Sequence, residues 1–460
     1  MPERRRLTTL NKIYVYLECL LRGQGQNANC CDWIELEQTP DPDLLNAAAA
    51  HVARRHPALQ AASRFEGWID YSWTPNPDAY PEITFERCEG ACPEHPDEAL
   101  LQNIWGRPLD HKNGPPWRLH VTTFADKCVL QVVTSHIYTC GKSANLISAE
   151  LLQAYAALYR GETPEDAVVD VADRNSNVLF TPGWSRFRRF RSWLATMRDL
   201  VLESVSRPVG LASNRAWAVS RGTTHVTFVE YEPELWQALR HFARSEEISR
   251  HPFYLAAWSE AVKGFNEAHG LRHPGPIKLM DNFSLRPFSD QSLDGFYDLC
   301  APPYAMTVPY GRSTQQVRRQ IHTQVERLKA GQILNEIARF NVYHWAILIL
   351  GKSLGSRLVI STVAKSPFIV SNTGPVPPTI LAPHPLNVLR YFSFPQLFQP
   401  GKIMLIVTST PDRLRAVFLW DEDAIDAAAM CDDLVPRFRQ ALARSIDYTS
   451  SDVSVATAAE

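Results

Sequence analysis

The segment Ser135-His136-Ile137-Tyr138-Thr139-Cys140-Gly141-Lys142-Ser143 joins two strongly patterned stretches of the chain. Residues 128–134 before it form a nearly continuous apolar run, which predicts a strand buried on both faces. Apolar residues at helical spacing follow it from Leu146 to Leu158, and Gly161 is placed to end that helix. His136 therefore stands where a core strand ends and a loop begins. Its side chain can enter a cleft while its backbone stays anchored.

Strand and helix patterns alternate on both sides of this segment. On the N-terminal side, a helix begins behind Asp43 and stops before Pro57, and residues 117–124 alternate as a strand does. The C-terminal side repeats the mixture without any short-period repeat. Its predicted elements are strands over 223–229, 277–280, 357–361, 403–409 and 414–420, and helices over 233–245, 252–267, 313–328 and 423–445.

A basic and aromatic stretch, residues 184–191, interrupts this alternation and leads into a helix. We interpret it as the connection between two halves. The predicted organisation is a first lobe over 1–175, a linker helix within 176–215, a second lobe over 216–448 and a disordered tail over 449–460. Two α+β halves with mixed sheets are the expected result.

The chain as a whole is close to electrically neutral. Among its 460 residues, Lys and Arg number 47 and Asp and Glu number 49, so the formal net charge is −2 and no global field favours nucleic acid or an anionic membrane. No segment approaches the roughly 18 apolar residues of a membrane span. Nine irregularly spaced cysteines and no recognisable signal peptide favour a reducing compartment. We expect a cytoplasmic monomer whose partners include neither nucleic acid nor a membrane.

Two short motifs suggest other chemistries and fail on spacing. Cys88, Cys92 and His95 lack a second ligand pair at the spacing of zinc sites, so we expect no metal. The triplet Gly141-Lys142-Ser143 lacks the glycine that a phosphate-binding loop has five residues before its final glycine, since His136 occupies that position.

A serine-hydrolase elbow has one formal match, Gly351-Lys352-Ser353-Leu354-Gly355. Such an elbow joins a strand to a helix, so that the serine is exposed on a strained turn. Residues 357–361 after it are predicted to form a strand, so we interpret this match as a plain glycine turn.

The pattern His-x-x-x-Cys-Gly-x-Ser, which runs from His136 to Ser143, resembles the His-His-x-x-x-Asp-Gly signature of non-ribosomal peptide synthetase condensation domains and their acyltransferase relatives. Other stretches resemble the Arg-His-Pro-x-Leu helix end, the Gly-Pro-Pro-x-Arg strand entry, the Arg-containing stretch of the second half, and a late motif of wax-ester and alcohol acyltransferases. In that order they are residues 53–59, 114–118, 282–287 and 371–375. Together the matches span roughly residues 10–445.

This resemblance implies an α+β two-layer sandwich in each of two chloramphenicol acetyltransferase-like lobes, arranged as a V-shaped pseudo-dimer around a tunnel. It implies transfer of an acyl group from a thioester to an amine or alcohol, in secondary-metabolite biosynthesis. The donor would be a phosphopantetheine thioester on an acyl or peptidyl carrier protein that meets the chain in trans, or on CoA. No tightly bound cofactor is implied.

The resemblance also assigns roles to residues. His136 would act as a base or positioning group, because histidine titrates near neutral pH. The N–H of Gly141 and a helix capped by Ser143 would face the developing oxyanion. Ser135, Cys140 and Arg286 would be structural. Candidate residues of the substrate channel are Asn282, Ser371 and Asn372.

Two departures from the signature keep alternatives open. Ser135 replaces the first histidine of the signature, and Cys140 replaces an aspartate that pairs in relatives with an arginine at the place of Arg286. A neutral thiol cannot make that charge-assisted bond. The chain is therefore either an acyltransferase or a non-catalytic relative that docks a carrier protein or recruits an enzyme.

Two residue-level alternatives also remain. Cys140 is either a buried structural thiol or a nucleophile activated by His136. The basic-aromatic stretch 186–191 is either a carrier-protein docking site or a solvated linker helix.

Overall fold

The computed structural model of the protein describes residues 5–22, 27–64, 72–169, 176–212, 224–271, 275–293, 295–363, 366–397 and 403–446. The predicted tail over 449–460 lies outside these residues. No helix in the described part of the chain is both long and apolar enough to cross a membrane.

Strands and helices are intermixed along the described chain. The strands are β1 (Arg5–Arg6), β2 (Asn29–Leu36), β3 (Ala61–Arg64), β4 (Ser72–Pro75), β5 (Glu82–Arg87), β6 (Trp117–Thr123), β7 (Cys128–Ser135), β8 (Thr224–Glu230), β9 (Ile277–Asn282), β10 (Pro303–Val308), β11 (Phe368–Pro375), β12 (Val388–Pro395), β13 (Ile403–Ser409) and β14 (Leu414–Asp421). The α-helices are α1 (Thr9–Arg22), α2 (Pro42–Arg55), α3 (Glu98–Leu101), α4 (Gly141–Tyr159), α5 (Ser176–Phe180), α6 (Arg186–Val205), α7 (Pro233–Ser245), α8 (His251–Ala268), α9 (Thr314–Lys329), α10 (Asn335–Val363), α11 (Pro378–Leu381) and α12 (Val435–Arg444).

Two large mixed sheets define two lobes. The first sheet has the order β12-β2-β7-β6-β5, and the second has the order β10-β9-β11-β13-β14-β8. In the second sheet, β11 runs parallel to both β9 and β13. In the first, β5 and β6 are parallel and the other pairs are antiparallel. The predicted α+β class with two lobes is confirmed.

One strand crosses from the second half of the chain into the first lobe. β12 pairs antiparallel with β2, with Tyr391 opposite Ile34, although the sequence-based assignment placed this segment within the second lobe. Tyr391 and Phe392 are both fully buried, on opposite faces of the sheet. Phe392 stacks on Phe228 of β8 with ring centroids 4.0 Å apart. Apolar residues of both sheets thus form a separate core between the lobes.

Three element predictions need correction. Residues 357–361 are not a strand but part of α10, which continues past a break at Gly351 (φ 81°, ψ 157°). Helix precedes Gly351 as well, so a strand-to-helix elbow is still absent there. The cap of α2 is Asp41, whose carboxylate accepts the N–H groups of Asp43 and Leu44. The last helix is irregular, because a π-helical turn over Ala429–Leu434 precedes α12.

Candidate active site

His136 directly follows β7, on a backbone that the first lobe holds at several points. Its N–H donates to the carbonyl of Ala28 at 2.6 Å, and the N–H of Ser135 donates to Pro116 at 2.9 Å. The fully buried Ser135 hydroxyl accepts the N–H of Ile137 at 3.3 Å and so braces the turn. The predicted anchoring of the histidine at the end of a buried strand is what the structure shows.

The ring of His136 is held in one tautomer. Its Nδ1 lies 2.7 Å from the carbonyl oxygen of Thr139. A carbonyl can only accept, so Nδ1 carries the proton and the lone pair lies on Nε2. Burial lowers the pKa of His136 to about 4, although the bond to the Thr139 carbonyl opposes this shift. The imidazole is therefore neutral at pH 7, which is the protonation state of a base.

The helix behind the motif begins one residue after the position of the lost aspartate. Cys140 is the N-cap of α4, and its side chain makes no capping hydrogen bond. Ser143 is the third residue of the helix, so its predicted place at the N-cap is wrong. Its fully buried hydroxyl donates instead to the carbonyl of Asp298 at 2.6 Å. This serine therefore joins the start of α4 to the second half of the chain.

Gly141, the first residue of α4, lies close to the second lobe. A Cβ atom added to Gly141 would lie 2.8 Å from Cγ2 of Thr373 in β11. Any larger residue would require the Thr373 side chain to shift. Glycine is needed here because of this approach between the lobes.

Arg286 has hydrogen-bond partners even though no carboxylate stands at position 140. Its Nη2 donates to the hydroxyl of Ser143, and its Nη1 donates to the carbonyl of Leu293, both at 2.7 Å. Burial disfavours the cation, but the Cys140 sulfur, Cys300 and the Asp298 carboxylate raise the pKa of Arg286 above its ordinary value.

The positive charge of Arg286 also affects the pKa of the Cys140 thiol. Burial raises the pKa of its thiol, but the Arg286 guanidinium and hydrogen bonds from Ser143 outweigh that effect and lower the pKa overall. Its Sγ lies 3.5 Å from the Ser143 hydroxyl and 3.7 Å from the Asp298 carbonyl. The sulfur thus sits in the contact between the lobes, where it resembles a structural group more than a nucleophile.

A cavity of about 600 Å³ opens in the second lobe beside β11. Arg240 and Arg244 from α7, and Arg250 just before α8, give its wall a cationic character. Its lining also includes Asn372, which was predicted from sequence, and His251. Because Asn372 lines the cavity while the adjacent Thr373 meets Gly141, a single strand separates this cavity from the His136 loop.

A bulge explains how adjacent residues of β11 face different neighbours. The pairing of β11 with β13 shifts register between Asn372 and Gly374, and Gly374 has φ +81°, which favours glycine. The Oδ1 atom of Asn372 accepts the N–H of Gly374 at 3.0 Å and braces the bulge. The Ser371–Pro375 stretch, which is similar to a family motif, therefore contains a β-bulge and a glycine in the left-handed region.

The other predicted channel residues lie near this cavity but outside its wall. Asn282 ends β9, and its N–H donates to Asp281 at 2.9 Å. Ser371 pairs with Ile406 inside the sheet. The sequence-based reasoning missed His251 and the arginines. The i, i+4 spacing of Arg240 and Arg244 on a predicted helix was an available signal.

Within the described residues, no group of three or more His, Cys, Asp or Glu side chains is placed to hold a metal ion. Of the cluster considered from sequence, His95 accepts the N–H of Phe228 at 3.3 Å. The N–H of Cys92 donates to Asp126 at 2.7 Å.

Known structures resemble the protein over nearly its whole length. The epimerization domain from the third module of tyrocidine synthetase B aligns with a TM-score of 0.68 at 12% identity, covering 97% of this chain and 98% of that one. The EpoB NRPS cyclization-docking bidomain from Sorangium cellulosum gives 0.70 at 14% identity, covering 97% and 86%. The first condensation domain of the calcium-dependent antibiotic synthetase, in complex with a substrate analogue, gives 0.67 at 15%, covering 96% and 97%. This chain has the condensation-domain fold.

The resemblance seen in the motifs is thereby confirmed at the level of the fold. No protein-family model matches the sequence, and no curated protein sequence matches it either. Domains named for condensation, epimerization and cyclization share this one fold. A shared fold does not determine the reaction, so function must be argued from the site.

Proposed function

We propose that the protein is a condensation-type acyltransferase. It moves an acyl group from a pantetheine thioester, on a carrier protein in trans or on CoA, to an amine or alcohol acceptor. The observation that carries this proposal is the neutral His136 ring, held by the Thr139 carbonyl in the tautomer whose Nε2 has the lone pair.

In the proposed reaction, the acceptor nitrogen or oxygen attacks the thioester carbonyl carbon and forms the new C–N or C–O bond. Nε2 of His136 takes the proton that the acceptor loses. When the tetrahedral intermediate collapses, the C–S bond breaks, and the imidazolium returns the proton to the pantetheine sulfur. General base catalysis of this kind contributes about 10²- to 10⁴-fold, and orientation of the reactants adds to it.

The N-terminus of α4 is the proposed source of oxyanion stabilisation. Gly141 opens this 19-residue helix immediately after the His136 loop. The first N–H groups of a helix lack intrahelical acceptors and carry partial positive charge. Ser143 supports this role by fixing the helix to Asp298 rather than by capping it.

The cationic cavity is a suitable place for the phosphate of the donor's pantetheine arm. Arginine binds phosphate through paired N–H donors, and Arg240, Arg244 and Arg250 all line this cavity. Its volume of about 600 Å³ falls in the usual range of small-molecule sites.

The non-catalytic docking role remains the second candidate, and the loss of the signature residues at Ser135 and Cys140 favours it. Against it, the structure compensates for both replacements. Ser135 braces the His136 turn, and Arg286 has found acceptors other than a residue 140 carboxylate.

The test is acyl transfer by the wild type and by His136→Ala from a panel of acyl-carrier and acyl-CoA donors, with product measured by mass spectrometry. We expect product from the wild type and a loss of about 10²- to 10⁴-fold in kcat in the variant. His225→Ala is the matched control, because His225 pairs with Glu422 on the surface of β8. Equal turnover by His136→Ala would remove the base role. A wild type that binds carrier protein but turns over no donor would establish the docking role instead.

A further inference from the structure

Helices α6 and α10 expose an unusual amount of apolar surface. Among the described residues, twelve of the seventeen exposed large apolar side chains lie on these two helices. They are Phe187, Phe190, Trp193, Leu194, Val201, Leu202 and Val205 on α6, and Trp345, Ile349, Leu350, Leu354 and Leu358 on α10. The two helices pack against each other, so these side chains lie on adjoining elements. Large exposed apolar regions mark interaction sites.

Polar contacts with α10 fix the orientation of α6 on the surface. Ser192 and Thr196 are buried and donate to the side chain and the carbonyl of Asn335, at 2.7 and 3.5 Å. Glu203 forms an ion pair with Arg339 of α10 at 2.8 Å. These contacts turn Ser192, Thr196 and Glu203 inward and leave the seven apolar side chains of α6 named above on its exposed side.

α10 exposes apolar side chains both before and after its break at Gly351. Tyr343, Ile347 and Val359 point inward and are buried, whereas the side chains of Ile349 and Leu354 are 78% and 60% exposed. Rotating either helix would break its inward contacts. The apolar surface is therefore a consequence of the fold.

The first turns of α6 add a concentrated positive charge beside this surface. Arg186, Arg188, Arg189 and Arg191 are all exposed, and none forms an ion pair with an acid in the described part of the chain. Arg188 lies over the Trp184 ring at 4.4 Å. The next aromatic residues along the helix, Phe190 and Trp193, are stacked with centroids 6.1 Å apart.

We propose that the outward face of α6 and α10 binds the surface of an anionic lipid bilayer. The arginines and aromatic rings at the start of α6 match the headgroup level, where Arg meets lipid phosphates and Trp is enriched. The aliphatic side chains of Val201, Ile349 and Leu354 enter the acyl boundary, as the apolar face of an interfacial helix does. An acidic protein would satisfy the arginines alone, whereas a bilayer satisfies both the charge and the breadth of the apolar face.

This inference departs from the expectation, drawn from composition, that a membrane is not a partner. The formal net charge of −2 describes the whole chain, and it concealed four closely spaced arginines that form no ion pair with an acid among the described residues. The inference is independent of the acyl-transfer proposal, since none of these residues lies in the His136 site.

The test is flotation of the full chain with vesicles. One set contains phosphatidylglycerol and phosphatidylcholine, the other phosphatidylcholine alone, each at low and at 0.5 M salt. We expect binding to the anionic vesicles that weakens with salt, because screening acts on exposed charges. Arg188→Ala with Arg191→Ala should remove most of the preference for anionic lipid.

The apolar part is tested by Ile349→Glu with Leu354→Glu, which should weaken partitioning at least about tenfold. The matched control is Val168→Glu, since Val168 is 63% exposed and belongs to neither helix. Thermal melting by circular dichroism confirms that each variant is folded. The proposal is wrong if the wild type fails to float with any vesicle, or if the apolar variant floats as the wild type does. A stable dimer that Ile349→Glu dissociates, with no vesicle binding, would assign the face to a second copy of the chain instead.

Discussion

His136 lies in the first-lobe loop that leads to Gly141, which meets β11, and His251 of the second lobe contacts Asn372 of the same strand. The two rings are held in different ways. His136 meets a backbone carbonyl through Nδ1, at 2.7 Å from Thr139. The Nε2 of His251 lies 2.5 Å from the fully buried carboxylate of Asp281, and its Nδ1 lies 3.4 Å from the side-chain nitrogen of Asn372.

The difference shows that the partners of a histidine, more than its presence near a cavity, decide what it can do. The oxygen of Asn372 accepts the N–H of Gly374, so its NH₂ group faces His251 as a donor. Both ring nitrogens of His251 are therefore used to hold the cavity wall. The Nδ1 contact of His136 leaves the lone pair on Nε2, where a base needs it. We assign proton transfer to the first and positioning to the second.

The largest expected effect comes from replacing each histidine in turn. His136→Ala should lower kcat by about 10²- to 10⁴-fold. His251→Ala should lower kcat by less than about tenfold and act mainly by raising the KM for the thioester donor, because it disturbs the cavity wall. Steady-state kinetics on both variants provides the measurement. A larger loss of kcat in the His251 variant would reverse the assignment of the two roles.

The pH dependence of kcat should show whether the pKa of His136 is lowered, because the expected rates for a lowered and an ordinary pKa differ about tenfold at pH 5.5. The pKa of His136 is lowered, to about 4, so its base form persists as the pH falls and is lost only near that value. At pH 5.5 we expect kcat to stay within about 5% of its value at pH 7.5. A histidine of ordinary pKa would retain only about one-tenth of that value at pH 5.5. A pH profile with donor stability measured in parallel tests this. A half-maximal rate near pH 6.5 would mean that the ring is solvated and not buried as described.

The smallest effect is expected at the lost aspartate of the signature. Cys140→Asp places a carboxylate near Arg286, but that guanidinium already donates to Ser143 and Leu293. We therefore expect the substitution to be tolerated and the free energy of unfolding to change by less than about 1 kcal/mol. Urea denaturation of this variant beside Cys140→Ala measures it. A strong stabilisation would show that the cation lacks a sufficient partner in the native protein.

Several features of the protein followed from local patterns in the chain. The apolar run before His136 predicted the buried strand β7, and the stripe after it predicted α4, because each pattern depends on residues a few positions apart. Strand β13 was predicted at its observed bounds for the same reason. The error at residues 357–361 has a related cause. Short apolar, β-branched runs fit a strand and a helix equally well, and here the segment forms the end of α10, in which Val359 is buried.

The sequence by itself determined which segments are strands and helices around His136, and that an imidazole stands at the end of a core strand. Only the tertiary structure decided that β12 completes the first lobe's sheet, that Thr373 closes on Gly141, and that Arg286 bonds Ser143. It also decided that α6 turns its apolar side to solvent. The physical reason is distance along the chain. Hydrophobic period shows that a helix has two faces, but which face is covered depends on partners such as Asn335, which is 143 residues from Ser192.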